Sequence, residues 1–372
     1  MPQQLISFSI DNLKQSKKIA QSIRIAPRNL EPYFQPTRLH LSHASISTNP
    51  LNLQKAVRDT LTYIKSRKTT KHRHINPPSF QSLMSTQEVK QTLEFIDQII
   101  EEDKATGNFR ITDPTFVRNH FDCIAWTADE MGAKKHEFKL PSDGKIRLTS
   151  YAVLTIKGNK QKSAQFPCGL YQLLNPNIRT KHTKQQILAG ALEQPEHKPM
   201  RKALAWVCRQ DLEDAIMHGT VIVKFTNGTS TILNVHTHNN IPYDLNQKNA
   251  LAQKRYWFFR ELRSQTKTPQ QIIERIKHRK NVIFAGNLEH IGIGKVIAIK
   301  YQHPLTGKQE MSLGVLADTG GAFINNLYQL DLFAGVFDNN LQLRKNRATL
   351  PSFVHAYVIK KRGLIICCGV FV

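Results

Sequence analysis

Two aspartates near the C-terminus have neighbours unusual for a charged group. Residues 316–323 read LADTGGAF and residues 330–335 read LDLFAG. Asp318 closes an apolar run just ahead of Thr319, Gly320 and Gly321, and Asp331 sits among Leu330, Leu332 and Phe333. A carboxylate removed from water must be paired, hydrogen-bonded or protonated, because an unpaired buried charge is very costly. Two such groups beside a glycine turn suggest a site that handles protons. An apolar setting raises a carboxyl pKa, which gives Asp331 the character of a general acid. Asp318 also has a plainer reading, since aspartate often caps its own turn through its side chain.

Other reactive side chains form no comparable pattern. His236 and His238 alternate on one strand face in VHTHNN, lack a third ligand at sensible spacing, and read as a solvated strand. The five cysteines (Cys123, Cys168, Cys208, Cys367 and Cys368) are odd in number, irregularly spaced and without a CxxC. They read as free thiols, not as a disulfide framework or zinc ribbon. Cys168, after a proline in FPCGLY, reads as core or loop and not as a nucleophile. GxSxG, GxGxxG and GxxxxGKS/T are all missing, so neither a serine elbow nor a nucleotide cofactor has support, and no metal or cofactor is expected.

These residues stand in a chain of 372, long enough for two or three domains. Lys and Arg number 52 against 28 acids, a net charge of +24 that attracts polyanions: nucleic acid, anionic lipid or an anionic cell-wall polymer. The run KTTKHRH (68–74) reads as a solvated linker. No stretch of about 18 apolar residues predicts a membrane span. The opening MPQQLISFSIDNLKQSKK lacks the pattern of a signal peptide, so the expectation is retention inside the cell or a delivery route that needs no such signal.

The elements that must position the aspartates can be read in order. Residues 1–50 predict a poorly ordered or extended basic arm. Residues 51–67 place Leu53, Val57, Leu61 and Ile64 on one helical face. Ser85 with Glu88 forms a capping-box pattern for a second helix, and a third is expected over about 114–131. Strand texture begins at IRLTSYAVLTI (146–156), with a turn at Lys157–Gly158–Asn159. A short helix capped by Thr183, a helix over 201–217 and a hairpin over 219–238 around Asn227–Gly228 come next. Helices are then expected over 246–263 and 268–280, and strands from there to the terminal GLIICCGVFV. Short strands with long connections favour a barrel over a doubly wound sheet.

ADTGGA followed by LDLFAG resembles the C-terminal motif of the membrane-bound lytic transglycosylase A (MltA) family, a "three-aspartate" domain. Similar pieces run over about 52–340: LTSYAVLTI like a TGYY strand, FPCGLYQLLNP like a PLYRRP segment, RTKHTKQQILAGAL like a helix ending in GAL, LEDAIMHG like a D-x-F-x-x-H segment, NNIPYDL like NG-x-PY, and GNLEHIGIGKVIAI like an AVD strand. The resemblance implies an α+β fold: a double-psi β-barrel catalytic domain, an inserted second β-rich domain and an N-terminal helical segment. It divides the chain into an arm (1–50), a helical segment packing on the barrel (51–140), a β-rich domain forming one wall of a groove (141–245) and the barrel portion with the aspartates (246–372).

The implied reaction cuts the β-1,4 bond between N-acetylmuramic acid and N-acetylglucosamine in peptidoglycan. The muramic acid's own C6 hydroxyl attacks, leaving a 1,6-anhydro ring, so one carboxyl can perform both proton transfers. By position Asp331 matches the acid/base, and Asp318 the carboxylate that orients groups and stabilises developing positive charge. One carboxyl is then protonated and the other ionised. Thr319, Gly320 and Gly321 would let backbone approach the glycan, with Tyr151, Asn240, Tyr243 and Asn287 as further substrate contacts. The implied partners are peptidoglycan strands, bound by a monomer acting at the bacterial wall. The departures fall in the groove: Asn287 stands for the third aspartate, Tyr151 alone for a tyrosine pair, Thr220–Val221–Ile222 for a QGSG-type loop, and VHTHNN for YAGxNG. An inactive glycan-binding barrel and a basic nucleic-acid-binding protein are the alternative readings.

Overall fold

Alternation of apolar and polar residues builds a network of 14 strands in the computed structural model, which describes residues 29–38, 44–66, 75, 77–175, 182–244, 246–247, 249–263 and 267–363. The strand expected in GLIICCGVFV, with Cys367 and Cys368, the KTTKHRH run and residues 1–28 of the arm lie outside the described residues. The strands are β1 (Phe34–Thr37), β2 (Ser45–Ile46), β3 (Phe121–Trp126), β4 (Ile146–Asn159), β5 (Cys168–Leu173), β6 (Arg201–Val207), β7 (Thr220–Phe225), β8 (Ser230–His238), β9 (Trp257–Glu261), β10 (Ile283–Ala285), β11 (Val296–Gln302), β12 (Gln309–Asp318), β13 (Gln329–Phe337) and β14 (Phe353–Lys361).

Six of these strands close a ring. β4 runs parallel to β13, β13 antiparallel to β10, β10 parallel to β12, β12 antiparallel to β11 and β11 antiparallel to β14. The start of β14 then returns antiparallel to the start of β4. Closure leaves no open edge within the ring. Outside it, β3 pairs with β14, β1 with β3, and β2 with β12. The ring core includes Phe284, Ile297, Leu313, Leu316 and Leu330. Helices Pro50–Ser66 and Thr86–Asp103 turn Leu53, Val57, Leu93 and Ile96 onto it. The expected capping box is formed, with the Glu88 N–H donating to Ser85 Oγ and the Ser85 N–H to Glu88 Oε2.

β4 spans 14 residues and outruns the ring. Its far end pairs with β7 and β6, and from there β7–β8–β9 and β6–β5 continue a second sheet. That sheet has its own core around Leu170, Trp206, Leu233, Tyr256 and Phe258.

Several expected elements differ. The helix expected over 114–131 is a short helix, Pro114–His120, followed by β3 and a second short helix, Glu130–Lys135. FDCIAW has partners on both sides, β1 and β14, and sheet pairing overrides any helical tendency. The helix over 201–217 begins only at Arg209, because RKALAWV pairs with β5 and Cys208 is the N-cap that starts the helix. The helix over 246–263 is one turn, Ala250–Ala252, and then β9, which pairs with β8. The turn at Gly158 is the end of β4. A Cβ there would meet Val223 Cγ1 at 2.6 Å and the Trp206 carbonyl at 3.1 Å, so glycine serves a close approach of strands. The arm is fixed at two places, where β1 and β2 join the sheet. The helix Asn340–Arg347 was not foreseen, although Asn339 is a legible cap and its last turn is basic.

Candidate active site

β10 has only three residues, all buried, and it fixes the geometry of the two aspartates. Ala285 is in register with Asp318 on one side and with Asp331 on the other. Two strand spacings, about 10 Å, therefore separate the two backbones. The Gly286 N–H donates to the Asp318 carbonyl at 3.0 Å and holds the end of β12 in place.

Both oxygens of Asp318 accept hydrogen bonds. The Thr319 N–H donates to Oδ1 at 2.7 Å, and the Tyr151 hydroxyl to Oδ2 at 2.7 Å. Asp318 thus does cap its own turn, and it also takes a bond from a strand across the ring. Burial pushes its carboxyl up to about 6, against the pull of those two bonds and of Arg279. Arg279 is itself buried and is held, with Arg275, by Asp59 of the helix Pro50–Ser66. Burial and the Asp318 charge raise the Tyr151 phenol well above its ordinary range, so it remains a donor.

Asp331 is bonded through one oxygen. Gln329 Nε2 donates to its Oδ1 at 2.9 Å and lies 2.9 Å from Thr149 Oγ1. Arg147 Nη1 reaches the Gln329 carbonyl oxygen at 3.4 Å. Arg347 donates to the Ser150 carbonyl at 2.7 Å and to Ser150 Oγ at 3.2 Å, which sets its charge near Asp331. Burial raises the Asp331 carboxyl, opposed by Gln329, Arg147 and Arg347. Burial pushes both carboxyls up, so burial alone does not decide which of the two is protonated and which ionised. What separates them is hydrogen bonding, with two donors on Asp318 and one on Asp331 among the described residues.

No protein-family model and no curated protein sequence matches the chain. Solved structures do. It superimposes on Escherichia coli MltA with bound chitohexaose (TM-score 0.56, 14% identity, covering 91% of this chain and 98% of that one). It superimposes also on the membrane-bound lytic murein transglycosylase of Agrobacterium tumefaciens (TM-score 0.57, 12% identity, 88% and 97% covered). MltA from Neisseria gonorrhoeae gives a TM-score of 0.53 at 15% identity, with 88% and 91% covered. The chain has the MltA fold.

Within that MltA fold, the remaining expected residues divide into two groups. Thr319, Gly320 and Gly321 come directly after Asp318. A Cβ added to Gly320 would meet only Phe323 Cδ2 at 4.0 Å, and one on Gly321 nothing within 4 Å, so packing does not demand glycine at either position. Asn287 lies just beyond β10 but is buried, with 1% of its surface exposed. Its Oδ1 accepts the His290 N–H at 3.0 Å, and its Nδ2 lacks a partner among the described residues. As it stands, its side chain braces a loop and does not present itself to a ligand. Asn240 and Tyr243 lie just after β8 on the second sheet. Asn240 is exposed, with a left-handed φ of 57°, and its N–H donates to His238 Nδ1 at 3.0 Å. Tyr243 is exposed near the Arg255 guanidinium, 6.0 Å from its ring centroid. Neither bonds to an aspartate of the ring. His238 is not a solvated strand residue: it packs edge-on against Trp257 at 5.2 Å, and burial lowers its pKa to about 4. Cys168 is buried in β5, as core.

Sequence reasoning passed over Gln329, Arg147, Thr149 and Arg347. Strand periodicity could have found the first three. Gln329 and Asp331 are two apart on β13, and Arg147, Thr149 and Tyr151 alternate on β4. The register pairs Gln329 with Arg147 and Asp331 with Thr149, so these side chains share one polar face.

Proposed function

We propose that this protein is a peptidoglycan lytic transglycosylase, with the six-strand ring as a double-psi β-barrel. Asp331 is its acid/base. The observation that carries the reading is the placement of two half-buried carboxyls across β10, on a fold shared with lytic transglycosylases. Protonated Asp331 gives its proton to the glycosidic oxygen as the bond to C1 of N-acetylmuramic acid breaks. The resulting carboxylate takes the proton of the C6 hydroxyl as O6 bonds to C1, closing the anhydro ring. Atoms balance without water. Asp318, fixed through both oxygens and mostly ionised at pH 7, offers negative charge to the cationic sugar. The open space over Gly320 and Gly321 supports close passage of a glycan along the backbone.

The substrate is a strand of the bacterial wall, and the net charge of +24 suits its anionic peptides. Among the described residues, no helix is long and apolar enough to cross a membrane. Buried Asn287 in place of a third aspartate favours a second reading, an inactive glycan-binding barrel. Digestion of purified sacculi by wild type and Asp331→Asn, with products read by mass spectrometry, separates the two. Anhydro-muropeptides from wild type alone support the enzyme. Products carrying added water sink the internal attack. Binding without products from either protein favours the inactive barrel.

A further inference from the structure

The single bond to Asp331 has a consequence for the proposed transglycosylase reaction, on which this inference rests. An acid/base that must give and then take one proton needs one oxygen facing substrate, and the other oxygen can only serve to hold it. On Asp331, Gln329 Nε2 occupies Oδ1 at 2.9 Å, and among the described residues Oδ2 accepts no hydrogen bond. The amide cannot turn over freely. Arg147 donates to its carbonyl oxygen at 3.4 Å, which fixes the NH₂ end toward Asp331 and Thr149 Oγ1. Arg147 is itself fixed, its guanidinium lying 4.0 Å from the centre of the Phe138 ring. Gln329 is buried, so water does not compete for its amide.

We propose that Gln329 is a positioning residue: oriented by Arg147, it ties down Oδ1 of Asp331 and leaves Oδ2 as the oxygen that carries the proton. The amide donates only, so it favours the carboxylate over the acid and eases the first transfer, in which Asp331 gives up its proton. The charged and titratable groups that face Asp331 are Arg147 and Tyr151 from β4, Arg347 from the helix Asn340–Arg347, and Asp318 from across β10. The two arginines pull the same way as Gln329, and Asp318 pulls against it. Among the described residues none of these groups is hydrogen-bonded to the Asp331 side chain, whereas Gln329 is.

The test is the pH dependence of kcat/KM on soluble glycan strands for wild type, Gln329→Leu and the near-isosteric Gln329→Glu. Loss of the donor moves the alkaline limb up by about one pH unit or more in Gln329→Leu. Gln329→Glu moves it further, because an ionised neighbour disfavours a second carboxylate. KM stays within about twofold in both, since neither removes a substrate contact. Circular dichroism of both variants identifies a folding defect. An alkaline limb that stays put in folded variants overturns the inference, even while Asp331→Asn is dead and the proposed reaction stands. If wild type turns over no glycan, the reaction itself fails, and the inference is read from ¹³C titration of the Asp331 carboxyl, assigned by its loss in Asp331→Asn. There an upward shift in Gln329→Leu supports it and an unchanged midpoint overturns it.

Discussion

A buried ion pair beside the second sheet contrasts with the two half-buried aspartates of the ring. In the pair, Lys184 is 1% exposed and its ammonium meets Glu213 Oε2 at 2.7 Å and the Ala250 carbonyl at 2.8 Å. Arg209 closes on the other Glu213 oxygen at 2.8 Å. Each of these three charges has its complement. In the ring, Asp318 and Asp331 are surrounded by donors and distant cations, yet neither forms an ion pair among the described residues. A satisfied pair is structure. A carboxyl that burial pushes up and no cation neutralises is free to exchange a proton.

Removing the proposed acid/base of the ring has the largest expected effect. Asp331→Asn should lower release of anhydro-muropeptides by roughly 10²–10⁴-fold with a thermal melt no lower than that of wild type, since amide and acid fill the same space and burial disfavours the charge that is removed. In the second sheet the order reverses. Lys184→Met should cost about 3 kcal/mol of stability by leaving Glu213 with only half-exposed Arg209. Turnover per folded molecule should be unchanged, and adding Glu213→Leu should restore much of the loss in a denaturant titration. A Lys184→Met protein as stable as wild type would remove the contrast.

Asp318→Asn sharpens the comparison because stability and activity should part. The folded carboxyl titrates near 6, above its ordinary 3.8, so the folded chain keeps a proton that the unfolded chain has released. Stability is therefore fully present below about pH 4 and is lost as pH rises through about 6. Asparagine avoids that loss, and at pH 7 the variant should be more stable by about 2 kcal/mol, read as a higher Tm, while turnover falls. At pH 4 the gain should vanish. The smallest effect is expected from Gly321→Ala. Stability should stay within about 0.5 kcal/mol because its Cβ meets nothing, while, on the proposed function, affinity for soluble glycan strands should weaken several-fold.

The two sheets also differed in how well they could be read. The ring strands β10 to β14 are runs such as VIFAG and GKVIAIKYQ, bounded by glycine or turn residues, and were legible one by one. The second sheet hid two strands, RKALAWV and WFFRE, inside segments of helical composition, because their pairing partners lie 28 to 39 residues upstream (Leu173 for Arg201, Cys168 for Val207) or across a loop. Asp318 and Asp331 could be singled out by their apolar flanks, but not their common neighbour Ala285, which only the register reveals. Asn287 resembled a family position in sequence, and nothing local to it could say that its side chain would be buried against His290.

β4 belongs to both sheets, and this bears on how the molecule melts. Its first half is hydrogen-bonded to β13 and β14 in the ring and its last residues to β7 and β6. Neither core can lose its order while the other keeps a frayed copy of the same strand, so cooperativity passes through the backbone itself. Heat should take the two cores together, in one endotherm whose calorimetric and van't Hoff enthalpies agree, despite a chain length at which separate transitions are common.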